Sequence, residues 1–151
     1  MDESTRGGGQ MPDAGVDPSP AGTRRATAVQ RLVTVAVATV ATAAVWLLAH
    51  VVFDVALQAK SGNAVRTVTL SGVVTTTVVV GFAAWALLAI LERVTSAART
   101  IFIAVGVVFL LISLLGPLSA ETGAAKLVLT AEHLLAALII IPGLARTTRQ
   151  R

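Results

Sequence analysis

Two ionisable residues, Glu132 and His133, stand side by side in the apolar stretch LTAEHLLAALIIIPGLAR, residues 129–146. A charged side chain near the centre of a bilayer costs roughly 2.5 to 3.5 kcal/mol even on a lenient insertion scale. A second pair, His50 and Asp54, has the four-residue spacing that places two side chains on one face of a helix. These four residues are therefore the first candidates for chemistry in the chain.

The carboxyl and imidazole groups of these residues suit either cation binding or hydrogen bonding between helices. For His50 and Asp54 we expect a hydrogen-bonded pair near the outer membrane interface, beside Trp46; a metal site would need further ligands from other helices. Glu132 lies about 11 Å inside the outer edge of the membrane. Thr75, Thr76 and Thr77 lie at a similar depth, so one of them is the expected hydrogen-bond partner, and we take Thr76 as the candidate. The sequence leaves two interpretations of Glu132 open, a neutral structural residue and a functional acid.

The motifs of common enzymes are missing from the sequence. It contains no HExxH, no GxSxG and no carboxylate pair that can be placed together. It contains no cysteine, which excludes disulfides, thiolate metal sites and a cysteine nucleophile. The sequence therefore predicts a protein that is not an enzyme, and it indicates no cofactor.

The composition is typical of a membrane protein. Of 151 residues, 55% are hydrophobic and 13% are charged, whereas about 25% are charged in an average soluble domain. The net charge of +4 could suggest nucleic-acid binding, but the basic residues lie mostly between apolar runs. We therefore expect the lipid bilayer as the partner and no nucleic acid; a membrane-protein partner or a second copy of the chain is compatible with this composition.

Four apolar segments predict an all-α fold, an antiparallel bundle of four transmembrane helices. The segments lie at about 32–55, 68–91, 101–118 and 125–144, and each is long enough to cross a hydrocarbon core of about 30 Å. The stretch VVTTTVVVG in the second segment resembles a strand, but an isolated strand in lipid would leave its backbone unpaired, so a helix is expected. Residues 1–31 are predicted to be a disordered cytoplasmic tail, and residues 148–151 a short basic tail.

The residues between the segments contain signals for turns and caps. Gly62 and Asn63 predict a turn, Gly116 with Pro117 predicts the end of the third helix, and Ser119 or Thr122 can cap the fourth. In the first helix, a row of mostly small or polar residues recurs every four positions and is expected to face the other helices. Its members are Thr34, Ala38, Thr42, Trp46 and His50.

The distribution of basic residues predicts the orientation. On one side of the membrane lie Arg24, Arg25, Arg31, Arg93, Arg99, Arg146, Arg149 and Arg151, and on the other lie Lys60, Arg66 and Lys126. Because basic loops stay in the cytoplasm, both termini are predicted to be cytoplasmic in a multi-pass protein of the cell membrane.

Three stretches resemble a family of small bacterial four-helix membrane proteins catalogued as a domain of unknown function. They are WALLAILER (85–93), LLISLLGPL (110–118) and HLLAALIIIPGLAR (133–146), and the resemblance covers roughly residues 30–147. It implies a four-helix membrane architecture and no particular reaction. The family usually has a histidine at the position of His133, often preceded by methionine, whereas Glu132 precedes it here. The resemblance therefore favours His133 over Glu132 as a carrier of any activity common to the family.

Two functions are consistent with these observations. The leading hypothesis is a non-enzymatic accessory or structural membrane protein, in which His50, Asp54, Thr76, Glu132 and His133 form a polar cluster between helices. The alternative is a binding or transport protein whose outward-facing pocket holds a cation or a small molecule.

Overall fold

The computed structural model of the chain describes residues 20–61 and 64–148, and its long elements are all helices. Four of them are long and apolar enough to cross a membrane, spanning Ala21–Val52, Leu70–Val94, Ala98–Leu118 and Gly123–Ala145. This confirms the all-α class, and the four predicted segments are helices of a length and hydropathy that suit membrane spans. The stretch VVTTTVVVG is helical, as the argument from backbone pairing in lipid requires.

The first helix, α1, begins earlier than predicted. It runs over Pro20–Leu47 and continues as a wider π-helical turn over Leu48–Val52. Residues 20–31 were expected to be disordered but are helical, because proline fits the first position of a helix and alanine, arginine and glutamine favour its interior. The predicted disorder of residues 1–19 lies outside the described residues.

A β-hairpin connects the first two membrane-spanning helices. Strand β1 (Gln58–Ser61) pairs antiparallel with β2 (Ala64–Thr67); the turn predicted at Gly62 and Asn63 lies outside the described residues. The backbone N–H of Glu121 donates to the carbonyl of Gln58 at 3.1 Å, and Ala59 forms a bridge with Ala120. The hairpin was not predicted, and its backbone bonds join it to the connection before the last helix.

The remaining helices begin at capping residues or after short connections. Helix α2 (Leu70–Val94) begins after Thr69, whose hydroxyl accepts from the N–H of Gly72 at 3.2 Å. Helix α3 covers Ala98–Ser113, and the short α4 covers Leu115–Leu118. Helix α5 (Gly123–Ala145) begins after Thr122, whose hydroxyl accepts from the N–H of Ala125 at 3.1 Å. This confirms Thr122 as the cap of the last helix.

Helix α1 packs against both α2 and α5, and α3 contacts the same two helices. Two clusters of buried apolar side chains form the core of the described structure. One includes Ala38, Leu88, Phe102, Ile140 and Leu144, and the other includes Ala49, Leu57, Ala120, Ala125 and Leu129. The outward surface stays apolar, for example Val40 (69% exposed) and Leu138 (70%), which suits a lipid environment.

Glycines allow the closest approaches between helices. A Cβ atom added to Gly143 would lie 2.5 Å from Cγ2 of Thr34, and one added to Gly81 would lie 2.8 Å from Cγ1 of Val35. Small residues at such positions let helix backbones come together where no hydrophobic effect drives them. The middle of α1 is therefore held closely against both the middle of α2 and the end of α5.

Candidate functional site

Glu132 is the candidate that the structure places deepest inside the protein. Its side chain lies on the α5 face that also carries the buried residues Ala125, Leu129 and Ile140, and it is only 6% exposed. Its Oε1 is buried and has no hydrogen-bond partner among the described residues. Because most buried polar atoms are paired, this oxygen needs an explanation, such as a bound proton, cation or water.

His133 is half-buried and contacts its own helix. Its Nδ1 lies 2.7 Å from the carbonyl oxygen of Leu129, one turn earlier. Because a carbonyl oxygen can only accept, Nδ1 carries the hydrogen and donates it. Nε2 is then the ring nitrogen that could act as an acceptor or ligand in a neutral His133.

The threonine that joins helices is Thr77 rather than Thr76. Thr76 is exposed on the outside of α2, so its predicted place in a polar cluster with Glu132 is wrong. Thr77, one residue later, lies with its Oγ1 3.2 Å from Oγ1 of Thr42 on α1. Adjacent residues point about 100° apart on a helix, and depth alone could not choose between them.

The four-residue row on α1 is buried over most of its length. Thr34 (9% exposed), Ala38 (0%) and Thr42 (2%) all face the other helices, which confirms the prediction for these three. Trp46 is half-buried and donates through Nε1 to the carbonyl of Val68 at 2.9 Å. His50 is exposed, so the row faces inward only up to Trp46.

His50 and Asp54 do not share a helix face. The helical turn ends at Val52, and Asp54 follows with a left-handed backbone, φ 49°. His50 lies against the ring of Trp46, with centroids 4.7 Å apart. The first helix was predicted to reach residue 55, but its last helical turn ends at Val52. The prediction that His50 and Asp54 lie on one helix face is therefore wrong. In the described structure neither residue forms a hydrogen bond or ion pair with Glu132 or His133, and no three acidic or histidine side chains there could share a metal ion.

A buried ion pair in the described structure involves residues outside the predicted site. Nη2 of Arg31 donates to Oε1 of Glu92 at 2.7 Å. Its Nε donates to Oγ1 of Thr147 at 2.8 Å, and Nη2 also lies 3.2 Å from the Thr147 carbonyl. This contact joins α1, the end of α2 and the residues after α5; we call it the Arg31 contact.

A signal for the Arg31 contact was present in the sequence. Glu92 is the one acidic residue between Asp54 and Glu121, and it ends an apolar segment on the side where Arg31 begins another. An acid at that position, among arginines, indicates an ion pair. Under the positive-inside rule Arg31 counts only as a cytoplasmic charge, and its burial does not follow from that rule.

Two shallow depressions lie on the outer face of α1. One is lined by Ala36, Val37, Val40, Ala41 and Ala44, and the other by Ala44, Leu47, Leu48, Val51 and Val52. Their linings are apolar, and neither includes Glu132 or His133. These depressions therefore do not correspond to the outward-facing polar pocket considered from the sequence.

The comparisons with known proteins indicate a family without an assigned role. The model of a family described as "Family of unknown function (DUF6069)" matches residues 22–150. No curated protein and no solved structure matches the chain.

Proposed function

The chain belongs to this family of unknown function, and we propose a role for it from its own geometry. It is a non-enzymatic accessory or structural component of a cell membrane, and both of its termini are cytoplasmic. In this role the buried polar side chains hold the membrane-spanning helices in one fixed arrangement. Helices in lipid associate through close packing and polar contacts, since lipid tails are as apolar as leucine.

The observation that carries this proposal is the use of polar groups at successive levels of the fold. The Arg31 contact lies at one end, the contact between Thr42 and Thr77 lies further along α1, and Trp46 bonds to Val68 near the hairpin. Each of these contacts joins α1 to α2 or to the connection before it. Polar groups engaged in this way are suited to fixing helix register and leave few donors for a substrate.

A second candidate function is cation binding, and the unpaired oxygen of Glu132 favours it. A buried carboxyl group without a partner is a site where a proton or a small cation would be stabilised. His133 follows Glu132 directly, and its Nε2 is not engaged by the bond to Leu129. The number of nearby ligands argues against a tightly bound transition metal.

The test is thermal unfolding of wild type, Glu132→Gln and His133→Ala in one detergent, with and without sodium, calcium, zinc and ethylammonium. For a structural role we expect Glu132→Gln to unfold within about 2 °C of wild type, since glutamine keeps the shape and lacks the charge. We also expect that no cation shifts any midpoint.

Cation binding predicts a different pattern. A bound cation should raise the wild-type midpoint, because a ligand that binds only the folded state stabilises it, and either substitution should abolish that rise. Asp54→Asn is the matched control, since Asp54 is exposed and its loss should leave a cation effect at Glu132 unchanged. A cation shift that needs Glu132 would overturn the purely structural role.

A further inference from the structure

Five exposed arginines surround the Arg31 contact, and we define them as the arginine end. They are Arg24, Arg25, Arg93, Arg99 and Arg146. Arg93 directly follows Glu92, and Arg146 directly precedes Thr147, so the ion pair and hydrogen bonds of Arg31 bring their backbones to one end of the protein. The short connection between α2 and α3 keeps Arg99 at the same end.

The length of α1 places its exposed arginines beyond the hydrocarbon core. The apolar helix spans 32 residues, Ala21–Val52, or about 48 Å, whereas the hydrocarbon core is about 30 Å thick. Exposed apolar side chains follow directly after Arg31, at Leu32 and Val33. Arg25 and Arg24 precede Arg31 by about 9 and 10 Å along the helix axis, just beyond a headgroup layer about 5 to 8 Å thick, and their long side chains can reach back to its phosphates.

Charge at the two ends of the protein is unequal. At the arginine end the carboxylate of Glu92 is paired with Arg31, whose side chain is 5% exposed, and the five other guanidinium groups remain exposed. Near the hairpin Asp54 and Glu121 balance Arg66 and Lys126, and Lys60 leaves an excess of one positive charge in the sequence. The attraction for anions is therefore concentrated at one membrane surface.

We propose that the arginine end binds the headgroups of anionic phospholipids in the adjacent leaflet, through Arg24 and Arg25 on α1 and Arg93 and Arg99 around the connection between α2 and α3. Guanidinium groups form paired hydrogen bonds with phosphate oxygens. The same lipids fit the neighbouring exposed apolar surface with their acyl chains, for example at Ile90 and Val94. A soluble polyanion could use the charges but not this apolar surface.

The experiment measures the relative affinity for phosphatidylglycerol and phosphatidylcholine by tryptophan quenching with brominated acyl chains. The chain has two tryptophans, and the full chain with Trp46→Phe keeps only the half-exposed Trp85, about 12 Å along α2 from Arg93. We expect about a fivefold preference for phosphatidylglycerol at the lipid positions next to Trp85, because Arg93 is the exposed cation that follows Trp85 on α2 and one basic residue at an anionic surface provides about this factor. In the same background, R24Q/R25Q/R93Q/R99Q should bind both lipids equally.

The matched control is R66Q/K126Q, which removes two exposed cations from the opposite end and should keep the fivefold preference. Equal quenching by both lipids in the parent protein would overturn the proposal, as would a preference that survives in R24Q/R25Q/R93Q/R99Q or is lost in R66Q/K126Q. Inorganic phosphate distinguishes a free anion from a headgroup. If it removes the preference while sodium chloride of equal ionic strength does not, the arginines bind free phosphate in preference to the headgroup, and the assignment of lipid as their ligand is wrong.

A second measurement does not depend on the Trp46 substitution. The thermal midpoint of the wild-type chain should be higher in nanodiscs containing phosphatidylglycerol than in phosphatidylcholine alone, and the difference should vanish in R24Q/R25Q/R93Q/R99Q. A midpoint that is the same in both lipids would contradict the proposal.

Discussion

Nη2 of Arg31 lies 2.7 Å from Oε1 of Glu92, which joins the first membrane-spanning helix to the end of the second. The two side chains are only 5% and 14% exposed, so little water can replace either partner. A buried ion pair of this kind need not stabilise a protein more than apolar residues would, but removing one partner leaves a costly charge behind.

Glu92→Gln should therefore destabilise the protein. We expect the free energy of unfolding to fall by about 3 kcal/mol, the lower end of the effect of breaking a buried pair, because Glu92 lies near a membrane surface. Unfolding with sodium dodecyl sulfate in mixed micelles measures this. Arg93→Gln is the control on the adjacent exposed residue and should change the free energy by less than about 0.5 kcal/mol. Equal effects of the two substitutions would contradict the importance of the Arg31 contact.

The contact between Thr42 and Thr77 predicts a difference between neighbouring threonines. Thr77→Val should lower the free energy of unfolding by about 0.6 kcal/mol, the average value of a polar contact between membrane helices. Thr76→Val changes the same residue type on the exposed face and should have no such cost. The same micelle titration compares them, and a larger loss in Thr76→Val would show that α2 is rotated differently.

The close approach of Gly143 to Thr34 predicts a steric effect. Gly143→Ala should cost about 1 to 3 kcal/mol, because the added methyl group would lie 2.5 Å from Cγ2 of Thr34. The second substitution Thr34→Ala removes that carbon and should recover most of the loss. Gly116→Ala is the control, since an added Cβ meets nothing within 4 Å there. Thermal midpoints of the four proteins test the prediction, and absence of recovery in the double variant would place the strain elsewhere.

The left-handed backbone of Asp54 predicts which residues this position accepts. Asp54→Asn should be neutral, whereas Asp54→Val should cost about 1 to 2 kcal/mol, since a β-branched side chain is strained at φ 49°. Asp54→Gly should be at least as stable as wild type. Thermal unfolding of the three variants measures this, and a loss in Asp54→Asn comparable to that in Asp54→Val would show that the carboxylate, rather than the backbone, matters.

Hydropathy along the chain determined the number of membrane-spanning helices and their approximate positions. In lipid every backbone polar group must be paired within the protein. A separate long apolar segment can achieve this only as a helix, because the alternative is a closed β-barrel. Local chemistry also determined Thr122 as a helix cap, because its hydroxyl bonds within the same segment. These features depend on neighbours in sequence and could be predicted without the tertiary structure.

The tertiary structure decided which side chains meet. In water an amphipathic pattern shows which helix face is buried, but lipid accepts apolar residues on every face, and the sequence then says little about rotation about the helix axis. A rotation of one residue exchanges Thr76 for Thr77, and an end at Val52 separates Asp54 from His50. The rotations of α1 and α5 likewise turn Arg31 inward to Glu92 and bury Oε1 of Glu132 without a partner. Such arrangements depend on the placement of two or three helices at once.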